Sequence, residues 1–530
     1  MSDVGGSTLG DASTLPPELA SSELAEALAA RPPRGPRLAP VAWMRRNLFN
    51  SPLNTVITVV LAPISVYLLY RFFRFVLVTG NWAPVSRNLE LFMISQFPRE
   101  ERWRLIAQAI LAAGAIGLAV GLNGKRARIV AERTGQPLLM RSWRTYAASY
   151  WSIILFVGVL LVAFSRTIGP YLLVGGALAA GLVGFLIGRA TPAGLLPYAW
   201  TVTALIGVAS FQIVSGTGGW SWCFTTLALF PAVSAMARTA PEAARLPIVG
   251  AGVVVAAATL VLRWGWVGWA AALVGAYALV TAVRGDRIDA ARTGALVVAG
   301  GVAYLVSDAI GHDGVDWVKW GGMHLTVVVA AAATLLALPL GILLALGRRS
   351  KLPAIKALSV LYIEFFRGVP LISLLLASAF FFQFMFDRDT DISTMTRAIA
   401  AITLFSAAYV AEVVRGGLNA VAKGQVEAGQ ALGLSPAKLN RLVVLPQALR
   451  AVIPAMVGQF ISLLKDTSLL GIIAINEFLG VRGLVHGQNE FRGVGIAEVL
   501  VFIAFGYWAL TYTMSRESQR LERRLGIGYR

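Results

Sequence analysis

A chain of 530 residues that is 57% hydrophobic and 14% charged, with a mean hydropathy of +0.70, carries more apolar surface than a soluble domain can bury, and so reads as a polytopic membrane protein. The formal charge of +19 would suggest nucleic acid in a soluble protein, but these Lys and Arg gather in short loops with no soluble platform of aromatic readers, which excludes that partner. The single cysteine, Cys223, excludes a disulfide framework, and the histidines His312, His324 and His486 lack metal-ligand spacing.

Residues 1–42 are rich in Pro, Ala and Ser and lack the early apolar core of a signal peptide; they predict a disordered cytoplasmic tail. Apolar runs long enough to span a bilayer follow in order. They are Asn54–Val78, Leu105–Leu122, Tyr146–Phe164, Tyr171–Ile187, Ala193–Ile213, the short Cys223–Ala237 with its Pro231, Pro247–Leu262, Trp266–Val283 and Thr293–Ile310. After a division at 311–321 come Gly322–Leu346, Leu358–Met385, Arg397–Val414, Ala451–Ile473 and Gly495–Tyr512, then a basic tail over 515–530. The basic loops Gly124–Arg144, Arg284–Arg292 and Gly347–Lys356 predict the cytoplasmic side. The acidic Ser307–Trp317 and Asp387–Ser393 predict the outside, with both termini inside.

Within an N-terminal multi-span region, 43–310, residues 146–310 are Ala-, Gly-, Val- and Leu-rich with little chemistry, whereas the spans after Gly321 are punctuated by charge and proline. Between two of them lies the polar stretch VEAGQALGLSPAKLNRLVVLPQALR, Val426–Arg450. Gln425–Leu432 is good helix material, Gly433 can end it in a left-handed conformation, Ser435 is a natural N-cap and Pro436 fits the first helical position. A second helix is expected to run to about Leu445, where Pro446 breaks it. The stretch 425–446 therefore predicts a cytoplasmic helical hairpin.

The run Glu427-Ala428-Gly429, then Gly433 after three intervening residues, then Val443-Val444-Leu445-Pro446 after nine more, resembles the signature loop of permease subunits of binding-protein-dependent ABC importers. Gly429 stands for its second Ala and Val443 for its Ile. The stretches YIEFFRGVPL (Tyr362–Leu371), LFSAAYVAEVVRGGLNAVAKGQVEAG (Leu404–Gly429) and LLKDTSLL (Leu463–Leu470) resemble the permeases for polar amino acids. WMRRNLFNSPLNT (Trp43–Thr55) and FPREERWR (Phe97–Arg104) resemble the longer subunit of general L-amino acid importers. The resemblance is specific from Gly321 to Tyr512, patchy over 43–145 and weak over 146–310. It implies an all-α polytopic membrane protein of the bacterial cytoplasmic (inner) membrane. Its C-terminal five-helix type I ABC importer permease core, over 321–514, follows about nine additional transmembrane helices. It also implies that the loop residues Glu427, Ala428, Gly433, Leu445 and Pro446 dock into a cleft of an ABC ATPase subunit. The further partners it implies are a second permease, paralogue or self, an extracytoplasmic amino acid binding protein and membrane lipid.

Charge within a span is costly and marks functional candidates. Lys465 and Asp466, followed by Thr467 and Ser468, lie deep in Ala451–Ile473. A zwitterionic amino acid needs a carboxylate near its ammonium and a donor near its carboxylate, which this pair offers; a structural ion pair across helices is the competing reading. Glu412 with Arg415 and Glu364 with Arg367 recur at i,i+3 and suit helix-end anchors or gate elements, and Arg367-Gly368-Val369-Pro370 predicts a kink. Gly124-Lys125 is followed by Arg126, and Ala119 stands where a P-loop needs glycine. The chain is thus expected to be no enzyme and to bind no cofactor, ATP-Mg being used by a separate subunit. A secondary transporter driven by an ion gradient and a channel or scaffold protein are the rival classes.

Overall fold

The computed structural model describes residues 40–134, 143–163, 169–215, 233, 237, 240–262, 265–310, 314–381 and 393–525. All but the last three residues of the expected tail 1–42, and nearly all of the expected span Cys223–Ala237, lie outside these. The chain divides into two compact units, ending and beginning at Gly80 and Asn81.

In the first unit, helix α1 (Pro40–Asn47) precedes α2 (Pro52–Arg74). Ser51 caps α2 by accepting from Asn54 N at 3.2 Å, and Pro52 takes the first helical position, where its missing N–H costs nothing. No α2 residue is buried.

The second unit starts with the short helices α3 (Ala83–Ser86) and α4 (Leu89–Ile94). Then come α5 (Arg102–Thr134), α6 (Trp143–Ala163), α7 (Gly169–Ala190), α8 (Leu196–Ser215), α9 (Glu242–Val261), α10 (Gly265–Val283) and α11 (Arg287–Ile310). Helix α5 runs past the expected end at Leu122 through the basic stretch to Thr134. It packs on α7 with backbones touching: a Cβ added to Gly117 would lie 2.0 Å from Gly181 O, and one on Gly184 would lie 2.3 Å from Gly114 O. This is the small-residue packing that holds membrane helices together where lipid supplies no hydrophobic drive.

The remaining helices are α12 (Gly322–Arg348), α13 (Pro353–Gly368), α14 (Leu371–Phe380), α15 (Thr394–Ala420), α16 (Lys423–Ala431), α17 (Pro436–Leu439), α18 (Leu445–Asp466), α19 (Val481–Gly487) and α20 (Ile496–Leu525). Three clusters make their core: one joins Leu325, Val329, Leu375, Ile402 and Leu470, a second joins Met323, Phe478, Val485, Phe502 and Ile503, and a third joins Ala345, Ile363, Val414, Leu439, Val444 and Ala448 at the hairpin end. The basic tail begins as helix, since α20 continues to Leu525.

Among the described residues, eight helices are long and apolar enough to cross a membrane, or up to nine with the bent pair α13–α14. Other expected spans are helices outside that set, at α6, α8, α10 and α11. The segment expected as one span over Leu358–Met385 turns by 101° between α13 and α14. Pro370 has no N–H to continue α13 and caps α14 instead, and Arg397 donates to the last carbonyls of α14, at 2.9 Å to Ala379 O.

Candidate functional site

The hairpin forms where expected. α16 ends in a Schellman motif: Gly433 N donates to Gln430 O at 2.9 Å and Leu434 N to Gly429 O at 3.1 Å, with Gly433 at φ +71°. Ser435 Oγ accepts from Lys438 N at 3.4 Å as α17 begins. At Gly429, where the signature has Ala, the space a Cβ would need is filled by Leu439 Cδ1, 2.4 Å away. The inner side of the hairpin is thereby anchored by Leu439 and Val444 on α15 and α18, while Glu427, Ala428, Leu432 and Leu442 stay exposed. Leu432 is 81% exposed and Leu442 61%.

Pro446 does not break the second helix. The backbone widens into a π-helical turn over Asn440–Val444 and runs directly into α18, with Leu445 and Pro446 in its first turn. The prolyl nitrogen has nothing to donate, and the wider turn accommodates it within one span, Asn440–Ile473. The hairpin is therefore continuous with the span Asn440–Ile473.

The four charges expected as two i,i+3 pairs meet differently. Arg415 Nη2 donates to Glu412 Oε2 at 2.8 Å as expected, but Arg367 turns to Glu412, at 3.8 Å, rather than to Glu364. Arg348, which the sequence did not single out, donates to Glu412 Oε1 at 2.7 Å and to Glu364 Oε1 at 3.1 Å. Glu412 is thus the hub of three arginines and ties α12, α13 and α15 together at the hairpin end.

Lys465 and Asp466 lie where the α-helix gives way to a 3-10 segment, Thr467–Ile473. Lys465 is exposed and Asp466 half-buried, and neither has an ion-pair partner among the described residues. Thr467 is fully buried, its hydroxyl donating to Leu464 O at 2.7 Å, and Ser468 is partly buried. The backbone at this joint stays bonded, Thr467 N donating to Leu463 O and Lys465 O.

A second buried acid went unnoticed in the sequence. Glu477, 0% exposed, follows the 3-10 segment at the end of the core opposite the hairpin. It accepts from Gly480 N at 2.7 Å and from Leu479 N and Tyr507 Oη at 2.8 Å each, with Thr326 Oγ1 3.5 Å away. Burial pushes its pKa up from the usual carboxylate value, against the pull of those hydrogen bonds. The available signal was a lone acid in an otherwise apolar stretch, Leu469–Leu479, just before Gly480.

Residues 337–526, which hold the hairpin, the arginine hub and the helix joint, match the family described as binding-protein-dependent transport system inner membrane component. Over nearly the whole chain, 95% of it and 98% of the relative, the sequence is 32% identical to the glutamate/glutamine/aspartate/asparagine transport system permease protein BztC of Rhodobacter capsulatus. The chain belongs to this family. Its C-terminal part is also 46% identical to the inner membrane amino-acid ABC transporter permease protein YhdY of Escherichia coli, an alignment covering 40% of this chain and 57% of that relative. It is 35% identical to the probable glutamine ABC transporter permease protein GlnP of Bacillus subtilis, over 39% of this chain and 92% of that one. The permease is a multi-pass membrane protein, and its N-terminal spans are included in the match to the long relative.

Proposed function

We propose that this permease is the membrane-spanning subunit of an ATP-driven importer for amino acids. An external binding protein delivers substrate, a separate ABC ATPase docks on the hairpin Gln425–Pro446, and a second permease completes the pathway. The observation that carries this reading is the hairpin. Its inner residues are fixed in the core while Glu427, Leu432 and Leu442 are offered outward, as a docking element needs and a connecting loop does not. Closure of the ATPase pair pushes the hairpin. Because the hairpin continues without a break into α18, the push reaches Asp466 and Lys465 along one helix.

Exposed Lys465 and half-buried Asp466, within a span and with no salt bridge among the described residues, support a pathway in which they meet the carboxylate and ammonium of an amino acid. The basic loops support a cytoplasmic hairpin and cytoplasmic termini. The length of the chain favours a paralogue over a second copy as the other permease. Reconstitution with the ATPase and the binding protein tests the reading. Uptake that requires both, across a panel of acidic, basic and neutral amino acids, supports it. Uptake without ATP that an ionophore abolishes overturns it in favour of a secondary transporter.

A further inference from the structure

Helices α9, α10 and α11 pack as a bundle whose backbones touch. A Cβ added to Gly252 on α9 would lie 2.5 Å from Gly294 Cα on α11, and one added to Gly275 on α10 would lie 2.8 Å from Ala256 Cβ on α9. Val249, Ala278 and Ala290 close the centre, and Arg287 on α11 pairs with Glu242 on α9 at 3.5 Å. Packing this close leaves the helices little room to shift. Asp289 stands in the first turn of α11, where the helix dipole favours a carboxylate, and the next two residues, Ala290 and Ala291, are fully buried. The bundle thus carries Asp289 on a rigid base.

The Asp289 carboxylate has a different partner on each oxygen. Oδ1 accepts from Arg292 Nη1 at 3.0 Å within α11, and Oδ2 accepts from Nη1 of Arg441, 152 residues away. Arg441 belongs to the π-helical turn Asn440–Val444, through which the hairpin enters α18. Its neighbours Leu439 and Val444 are buried in the permease core, while its own side chain is 44% exposed. The loop Arg284–Arg292 is basic, and its charge alone predicts the side of the membrane expected for the hairpin. The ion pair therefore links the additional spans to the joint between the hairpin and α18.

We propose that α9–α11 brace the hairpin, with Asp289 a positioning residue that holds Arg441 while the ATPase pushes. This rests on the importer reading, and it gives part of the additional spans a task. A push on the exposed residues Glu427, Leu432 and Leu442 can drive α18 along its axis, or it can swing the hairpin sideways about the π turn. A tie from Arg441 to a rigid bundle opposes the swing and directs the push into α18. A partly exposed ion pair adds little to folding stability, so its loss acts on the efficiency of transport rather than on the abundance of the permease.

The test uses the full reconstituted transporter and reads uptake per ATP hydrolysed, with permease abundance and ATPase co-purification as controls. Arg441→Gln and Asp289→Asn are each expected to lower uptake per ATP about threefold, the size of a partly exposed ion pair, with both controls unchanged. The double variant is expected to be no worse than either single one, because both remove the same link; losses that multiply overturn the proposal. In a Cys223→Ser background, Asp289→Cys with Arg441→Cys is expected to show the same loss, and joining the two thiols with a short bis-maleimide is expected to restore uptake per ATP. Cross-linking that instead abolishes uptake overturns the brace, since the hairpin then has to move against the bundle. Asp289→Asn also takes a partner from Arg292, so should it lose abundance, Arg441→Gln decides. Unchanged uptake per ATP in Arg441→Gln overturns the proposal, and so does a fall in co-purified ATPase, which assigns Arg441 to the docking face. Absence of ATP-dependent uptake by the unsubstituted complex is a separate outcome, which overturns the importer reading and the brace with it.

Discussion

Arg348, the last residue of α12, places Nη1 2.7 Å from Oε1 of Glu412 on α15. Glu412 is 17% exposed at its side chain and also holds Arg415 and, at 3.8 Å, Arg367. One carboxylate thus neutralises guanidinium groups from three helices, just where α15 leads into the hairpin. Removing it takes the ion pair from Arg415 and Arg367 and leaves Arg348 to Glu364 alone; removing any one cation leaves the others paired.

Glu412→Gln is therefore expected to destabilise the permease by about 1–3 kcal/mol. Arg367→Ala, whose side chain is 38% exposed, is expected to cost less than about 1 kcal/mol. Thermal unfolding in detergent ranks them, with Arg348→Met between the two. An equal or inverted order means that Glu412 is not the hub.

Gly433→Val is expected to weaken ATPase binding while leaving membrane insertion intact. At φ +71° a β-branched residue is strained by about 1 kcal/mol or more, and the Schellman bonds that set the angle between α16 and α17 are lost with it. Gly433→Asn, which tolerates the left-handed region, should bind nearly as well as the parent. Co-purification of the ATPase from membranes reads both. Equal recovery with Val and Gly shows that the turn does not set the docking geometry.

The hairpin was legible because its punctuation is local. Gly433 and Pro436 act through their own backbone dihedrals and Ser435 through a hydroxyl that reaches Lys438 N three residues on, and each does what the sequence leads one to expect. Pro446 was misread for the complementary reason. Proline ends a helix by rule, but the π turn over Asn440–Val444 removes the conflict, and no residue type announces such a turn. The span order was also legible from apolar runs, and the break at Val369-Pro370 from its dipeptide. The partners of Glu412 and Glu477 were not. Arg348 lies 64 residues from Glu412, and Thr326 lies 151 from Glu477, so no window along the chain contains both members of either contact. The i,i+3 rule found Arg415 and misassigned Arg367, because spacing says which groups can meet on one helix and nothing about a neighbouring helix that competes for them.

Asp466→Asn and Lys465→Met are each expected to lower uptake by about tenfold or more, with assembly intact, if substrate meets them at the helix joint. The supporting geometry is the absence of any ion-pair partner among the described residues for two charged groups inside a span. Uptake measured alongside ATPase co-purification separates the outcomes. Normal uptake in both variants removes these residues from the pathway, and lost assembly assigns them to packing between subunits.

Glu427→Lys tests the docking face itself. Glu427 is exposed on α16, outside the ion pairs formed among the described residues, and the nearby hairpin residues Leu432 and Leu442 are exposed as well. Lys and Glu have similar helix propensities, and a surface change of this kind alters stability by no more than about 0.5 kcal/mol, so the hairpin should keep its fold. What changes is the sign of the charge presented to the ATPase. A basic group there attracts Glu427 and repels Lys, so co-purification and uptake should both fall at constant permease abundance. Salt then separates electrostatics from misfolding, because exposed charges are screened over about 8 Å at physiological ionic strength and over about 3 Å at 1 M. Binding by the parent should weaken as salt rises, while the deficit of Glu427→Lys relative to the parent should shrink. A deficit that is the same at both ionic strengths points to a distorted hairpin. No deficit at either, with normal uptake, means that Glu427 does not face the ATPase and that the docking surface must be sought around Leu432 and Leu442 alone.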